Sequence, residues 1–293
     1  MRYLTFHDVV KGLSMSQAIE AMREAFRLLS SREVVVALCF HPDIPEQESV
    51  ELEKPVYVPS LQRINIKVIS LFRHNYLREL PLSHTLMMVF DATTGLPLAL
   101  MDGNLLIAIR TGAAVGLATD LLARKNAQIF AIFGDGFQAQ YQIEASRTVR
   151  SIQKILIFNQ DIWKAYQLAA KIQWMDYLKV NVATKPEVLQ ETNIICTVTT
   201  SDTPVFSDSL MTAGFHINAI GSFKPSSRKI SGETIQRAKI VVDQKETYIK
   251  EANNILIPIA EDKIFIAHIY AERGEFTSRF KTERESEWEI TLF

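Results

Sequence analysis

The sequence predicts an α/β protein in two parts, a Rossmann-type dinucleotide-binding domain with an α+β domain ahead of it. Three observations carry that expectation. A chain of 293 residues exceeds one compact core and usually divides into two. From Lys125-Asn126 onward, short apolar runs alternate with helix-compatible segments, the pattern of a parallel βαβ sheet. The loop Gly134-Asp135-Gly136-Phe137-Gln138-Ala139 directly follows one of those runs.

In chain order, Ser14 followed three residues later by Gln17 is a capping-box pattern, and Ala18, Met22, Phe26 and Leu29 then share one helix face. From Val34 to Phe90 the pattern turns β-branched and alternating. Val56-Tyr57-Val58, Ile64 to Ile69 and Thr85 to Phe90 read as strands. Asp91 to Pro97 carries turn chemistry, and Met101 to Asn104 carries it again after Leu98-Ala99-Leu100, so a hairpin is expected. Arg110 to Arg124, rich in Ala and Leu, suits a long buried helix joining the two halves. Six strands follow at Ile129 to Phe133, Ile155 to Phe158, Leu178 to Val182, Ile194 to Val198, His216 to Ile220 and Ile240 to Val242, with helices between the first four.

Composition narrows the function class. With 47% hydrophobic and 22% charged residues and a formal net charge of -1, the chain is neither disordered nor dressed for polyanions, so no nucleic-acid partner is expected. The apolar stretches Asn65 to Phe72 and Gln128 to Phe133 are far below the roughly 20 residues of a membrane span, and no membrane helix is expected. The amino terminus lacks a signal-peptide pattern, which makes the cytoplasm the expected compartment. Cys39 and Cys196 each sit in an apolar run, so neither a disulfide nor a metal site is expected.

Gly134 to Ala139 fits the G-x-G-x-x-A phosphate-binding turn in its proper setting, after a strand and before a helix. Gly134 permits the tight turn, Gly136 lets backbone approach a pyrophosphate, and small Ala139 lets helix and strand pack. Phe137 and Gln138 lie where free amides meet the anion at the positive helix end. Asp135 is at odds with a phosphate unless its carboxylate points to solvent. After the second strand, Asn159 can hydrogen-bond ribose without charge, and Gln160 stands where an arginine would take the extra phosphate of NADP. NAD is therefore preferred over NADP, which stays open, as does the reading of these residues as plain loop polars.

Six blocks, in order, resemble the ornithine cyclodeaminase/mu-crystallin family: Asn65-Ile66-Lys67-Val68-Ile69 through Asn75; DATTGLPLALMD from Asp91 to Asp102; Arg110-Thr111-Gly112-Ala113-Ala114; GDGFQAQ; Thr199-Thr200-Ser201 with Pro204; and HINAIGSFKP from His216. The resemblance implies a substrate-binding and dimerisation domain over 1–124, rejoined by the segment 275–293, and a Rossmann NAD(P)-binding domain over 125–274. It implies that Lys67 is the active-site lysine, that Arg110 grips the substrate carboxylate, and that Thr111 contacts the cofactor. Thr199, Ser201 and Gly221 join the implied cofactor-binding set. The residue types suit the chemistry: an arginine fork binds a carboxylate bidentately, and a lysine beside an imine donates a proton as hydride reaches carbon.

The chain also departs from the family's pattern. Cyclodeaminases carry an aspartate shortly after the glycine of the fifth Rossmann strand, whereas Gly221-Ser222-Phe223-Lys224-Pro225 has no carboxylate. Lys229 stands where relatives carry a glutamate. No second substrate arginine occurs between Ala37 and Glu46, and relatives continue beyond the position of Phe293 through a Lys-Ser stretch into another helix. The expected function is an NAD(P)-dependent oxidoreductase acting on a small α-imino or α-keto acid or amino acid, working as a homodimer. The alternatives are ornithine cyclodeamination and a non-catalytic NAD(P)H- and small-ligand-binding protein.

Overall fold

The computed structural model describes residues 1–37, 39–173, 178–199, 201–220, 228–251, 253–277 and 283–293. The chain falls into two compact units, Met1–Gln17 with Ser31–Arg110, and Ala18–Ser30 with Thr111–Phe293.

The first unit begins with β1 (Arg2–Leu4) and α1 (Phe6–Gly12), a short helix whose Thr5 and Asp8 form a capping box that was not anticipated. The box that was anticipated opens α2 (Met15–Ser30): the Ser14 amide donates to Gln17 Oε1 at 3.1 Å and the Gln17 amide to Ser14 Oγ at 3.3 Å. Then come β2 (Val35–Val36), β3 (Asp43–Ile44), β4 (Ser49–Val58), β5 (Arg63–Phe72), β6 (Ser83–Asp91) and β7 (Pro97–Asp102). They form one sheet in the order β1-β7-β6-β5-β4-β2, with β3 also on β4. Among the described residues only β1 pairs in parallel; the rest is antiparallel. In the β6–β7 turn, Asp91 Oδ1 accepts from the amides of Thr93 and Thr94, and Gly95 takes φ +73.

The helix expected from Arg110 starts seven residues earlier, as α3 (Gly103–Leu122). The reason is chemical: Asp102 Oδ1 accepts from the Leu105 amide at 3.0 Å, so what reads as a second turn is a helix cap. At 20 residues α3 is long and apolar enough to cross a membrane by length and composition, a stretch the sequence reading passed over. Most of it is buried, as expected of a core helix.

The second unit continues with β8 (Ile129–Phe133), α4 (Ala139–Val149), β9 (Lys154–Phe158), α5 (Ile162–Ile172), β10 (Lys179–Val182), β11 (Ile194–Val198), β12 (His216–Ile220), α6 (Gly232–Arg237), β13 (Lys239–Val242), α7 (Lys245–Glu251), α8 (Asn253–Ala260), β14 (Ile269–Glu272), α9 (Arg273–Thr277) and β15 (Thr291–Leu292). All its strands run parallel, in the order β10-β9-β8-β11-β12-β15-β13-β14. The six expected strands are all present, but only a 3-10 segment, Pro186–Glu191, fills the third expected helix position. Alternate residues feed two cores: Ala131, Phe133 and Ile195 on one face, Phe130, Ile132 and Ile194 on the other. Each such large side chain, fully buried, stabilises the fold by about 1.5–3 kcal/mol.

These two units differ in their bounds from the domains expected from the sequence, which divide at 124/125 and return 275–293 to the first domain. Most of α2 and the second half of α3 group with the parallel sheet, and β15 lies inside it. A continuous helix gives no break in pattern at Arg110, and a two-residue strand is too short to show a period.

Candidate active site

Lys67 and Arg110 fall in the same unit. Lys67 is on central strand β5, with Lys54 of β4 directly opposite on one side and Met87 of β6 on the other. The same sheet face carries Thr85, whose side chain lies so close under Gly103 that a Cβ there would collide with it. That contact fixes the start of α3, and Arg110 follows two turns along the helix. Lys67 is half-buried, and burial first, then the charges of Arg110 and Lys54, push its pKa down to about 8, while the Cys39 thiol acts the other way. Arg110 is exposed. A half-buried amine poised near neutrality beside a guanidinium suits proton transfer next to a bound carboxylate.

The predicted nucleotide loop lies in the second unit, between β8 and α4. Gly134 has φ +110 and its amide donates to the Phe158 carbonyl at 3.0 Å, extending the β8–β9 ladder by one residue. Ala139 is fully buried where the helix meets the sheet, and its amide donates to the Gly136 carbonyl at 2.8 Å. Among the described residues the amides of Phe137 and Gln138 have no acceptor. A Cβ on Gly136 would meet nothing within 4 Å. Free donors at the amino end of an eleven-residue helix, beneath open space at a glycine, fit the pyrophosphate of a dinucleotide. Asp135 is half-buried.

Thr111 is buried beside Gly112, where a Cβ would fall 2.6 Å from the Tyr141 carbonyl of α4. Thr111 and the loop helix are thus held together by a close helix crossing. Asn159 turns out to be half engaged: its Oδ1 accepts from the Asp161 amide at 2.9 Å, and Asp161 in turn caps α5. Thr199 Oγ1 accepts from the Ser201 amide at 3.2 Å, and Ser201 Oγ donates to the Thr203 carbonyl at 2.9 Å. Gly221, with the segment where the aspartate is missing, lies outside the described residues.

Two lysines escaped the sequence reading. Lys54 becomes visible only once β4 and β5 are joined through Pro59–Leu61 and Gln62, which fixes the register. Lys229, noted only as a charge reversal, is buried and donates through Nζ to the Ser201 carbonyl, tethering the loop after β11.

The profile of the ornithine cyclodeaminase/mu-crystallin family matches residues 2–293. The chain belongs to this family. Within it, the chain is 34% identical over 295 residues to a Delta(1)-pyrroline-2-carboxylate reductase of Bacillus cereus, covering 100% of this chain and 90% of that one. It is similar in structure to the Delta(1)-pyrroline-2-carboxylate reductase of Thermococcus litoralis in complex with NADH and L-proline, with a TM-score of 0.95 and 34% identity, covering 100% of this chain and 91% of that one. An archaeal alanine dehydrogenase dimer with bound NAD matches with a TM-score of 0.91 and 30% identity, over 99% of this chain and 89% of that one. The family's fold, a Rossmann-type α/β unit with an α+β unit, is the fold predicted from the sequence.

Proposed function

We propose that this chain is an NAD-dependent oxidoreductase that reduces a small α-imino acid to the corresponding amino acid. The observation that carries the reading is the placement of Lys67, a half-buried amine with its pKa drawn down to about 8, alongside Arg110 in the first unit. Its relatives at 30–34% identity are reductases or dehydrogenases of imino and amino acids. NADH, when bound, supplies the hydride. Arg110 holds the substrate carboxylate in a two-pronged hydrogen bond, and the Lys67 ammonium delivers a proton to the imine nitrogen as the carbon is reduced.

Cofactor binding falls to the second unit. The Phe137 and Gln138 amides, with Gly134, Gly136 and Ala139 shaping the turn, take the pyrophosphate. Thr111, Asn159, Thr199, Ser201 and Gly221 complete the proposed set. NAD is favoured because two solved relatives carry NADH and NAD. The first unit would also form a homodimer: the face opposite Lys67 presents Ile64, Ile66, Leu86 and Met88, with Leu86 51% exposed, and the archaeal relative is a dimer. The cytoplasm is the proposed location, in keeping with metabolic relatives.

The test is consumption of NADH and of NADPH with 1-pyrroline-2-carboxylate and with pyruvate plus ammonia. Turnover with NADH is expected. Tight NADH binding without turnover of either substrate would replace the reading with that of a binding protein, and proline release from ornithine with catalytic NAD would replace it with cyclodeamination. Arg110→Met should raise KM by about 10²-fold, the loss of a charged, bidentate hydrogen-bond pair.

A further inference from the structure

We propose that Lys54 is a substrate-binding residue that takes a second anionic group, so that this chain prefers dicarboxylic imino or keto acids over monocarboxylic ones. The inference rests on the oxidoreductase reading above and names its substrate class. Lys54 and Lys67 are direct partners across the β4–β5 ladder, so both side chains rise from one sheet face. Both are half-buried. Like charges placed opposite each other on a sheet are destabilising, and partial burial strengthens the repulsion.

Among the described residues, the Cys39 thiol is the group that acts against the repulsion at Lys67. Among the described residues, neither ammonium has a hydrogen bond or an ion pair. The acidic residues of β4, Glu51 and Glu53, alternate with Lys54 and so project from the opposite face. The charge farther along the same face is handled differently: Arg63 is paired with Asp91 at 3.1 Å. Around the two lysines the face carries Leu52, Val56, Ile69 and Met87, with the uncharged Asn65 and Thr85 as its polar members and no carboxylate among these neighbours.

An amino-acid carboxylate held by Arg110 accounts for one positive charge, and Lys67 serves the reacting nitrogen. Lys54 then stands over as a third cation on a floor without a carboxylate, where a half-buried ammonium facing a like charge is best satisfied by an anion carried in by the ligand. In the proposed class of substrates, that anion is the carboxylate of a short acidic side chain.

The experiment compares wild type, Lys54→Met and Lys54→Arg with NADH and ammonia, using pyruvate against oxaloacetate and 2-oxoglutarate. Wild type is expected to favour a dicarboxylate in kcat/KM by about tenfold or more, and Lys54→Met to erase that ratio chiefly through KM. Lys54→Arg should keep much of it. A wild-type preference for pyruvate, or a ratio unmoved by Lys54→Met, overturns the proposal. A second readout needs no turnover: calorimetric binding of succinate and of propionate to the NADH-loaded protein. Succinate should bind tighter, and Lys54→Met should remove the difference; equal loss for both acids overturns the proposal. If no substrate turns over, the oxidoreductase reading fails while the succinate comparison still decides Lys54.

Discussion

Gly134 is seated against Val198: a Cβ built on it would lie 2.6 Å from the Val198 carbonyl oxygen, a backbone atom that cannot swing away. With φ at +110, Gly134→Ala meets strain and collision together and should cost about 1–3 kcal/mol or more of stability. Gly136→Ala is the contrasting variant, because its Cβ meets nothing within 4 Å. It should melt within about 0.5 kcal/mol of wild type and yet lose NADH affinity by at least tenfold. Thermal unfolding with and without NADH separates the two, and equal stability losses would contradict this account of the loop.

Lys67 gives the reaction a pH dependence. Its folded pKa is drawn down to about 8, chiefly by burial. Reduction uses the ammonium, so kcat/KM should be level below that value and decline as pH rises through it. Oxidation of the amino acid uses the free amine and should show the mirror-image rise. Lys67→Met should lower reduction by about 10²–10⁴-fold and flatten the profile. A profile unchanged by the substitution would remove Lys67 from the chemistry.

Arg273 is fully buried between two rings, with its guanidinium carbon 4.2 Å from the Phe26 centroid and 3.2 Å from that of Phe293. Among the described residues none of its side-chain nitrogens has a hydrogen bond, and Asp243 stands 3.6 Å away. Burial pushes its pKa down to about 9. The ring contacts offset only part of that desolvation, so Arg273→Met should leave stability unchanged or raise it by about 1–4 kcal/mol. Chemical denaturation of the two proteins decides; a large loss would show that the cation is better satisfied than its contacts indicate.

His216 is buried on β12, its Nδ1 3.0 Å from Thr291 Oγ1, and burial drives its pKa down to about 3 from an ordinary 6.5. The unfolded chain binds a proton in this interval and the folded chain does not. Stability should therefore fall as pH drops from about 6.5 toward 3. His216→Asn should show a shallower acid limb in urea titrations than wild type; identical limbs would exclude the histidine as its source.

Much of this was legible beforehand because it depends on local patterns. The strands of the parallel sheet are short apolar runs, and Gly134 to Ala139 is a contiguous motif with one mechanical purpose. What escaped depends on pairing between distant segments. Lys54 gains meaning only from the register that sets it opposite Lys67, and the two residues of β15 carry no period at all. Asn159 reads as a ribose partner and Ser201 as part of the set the resemblance implies, and hydrogen bonds within their own turns occupy part of that capacity.

The insertion of β15 between β12 and β13 also bears on how the second unit assembles. Thr291 pairs with His216 and Lys239, and Leu292 with Ile217 and Ile240, so two residues bridge what are otherwise two separate blocks of strands. Those contacts close loops of about fifty to seventy-five residues, among the entropically costly ones to form. The block β10-β9-β8-β11-β12 and the pair β13-β14 can each gather early, whereas the seam between them is knit last. In native-state hydrogen exchange, the two blocks should then open as distinct cooperative units, with the boundary at the shortest strand in the sheet.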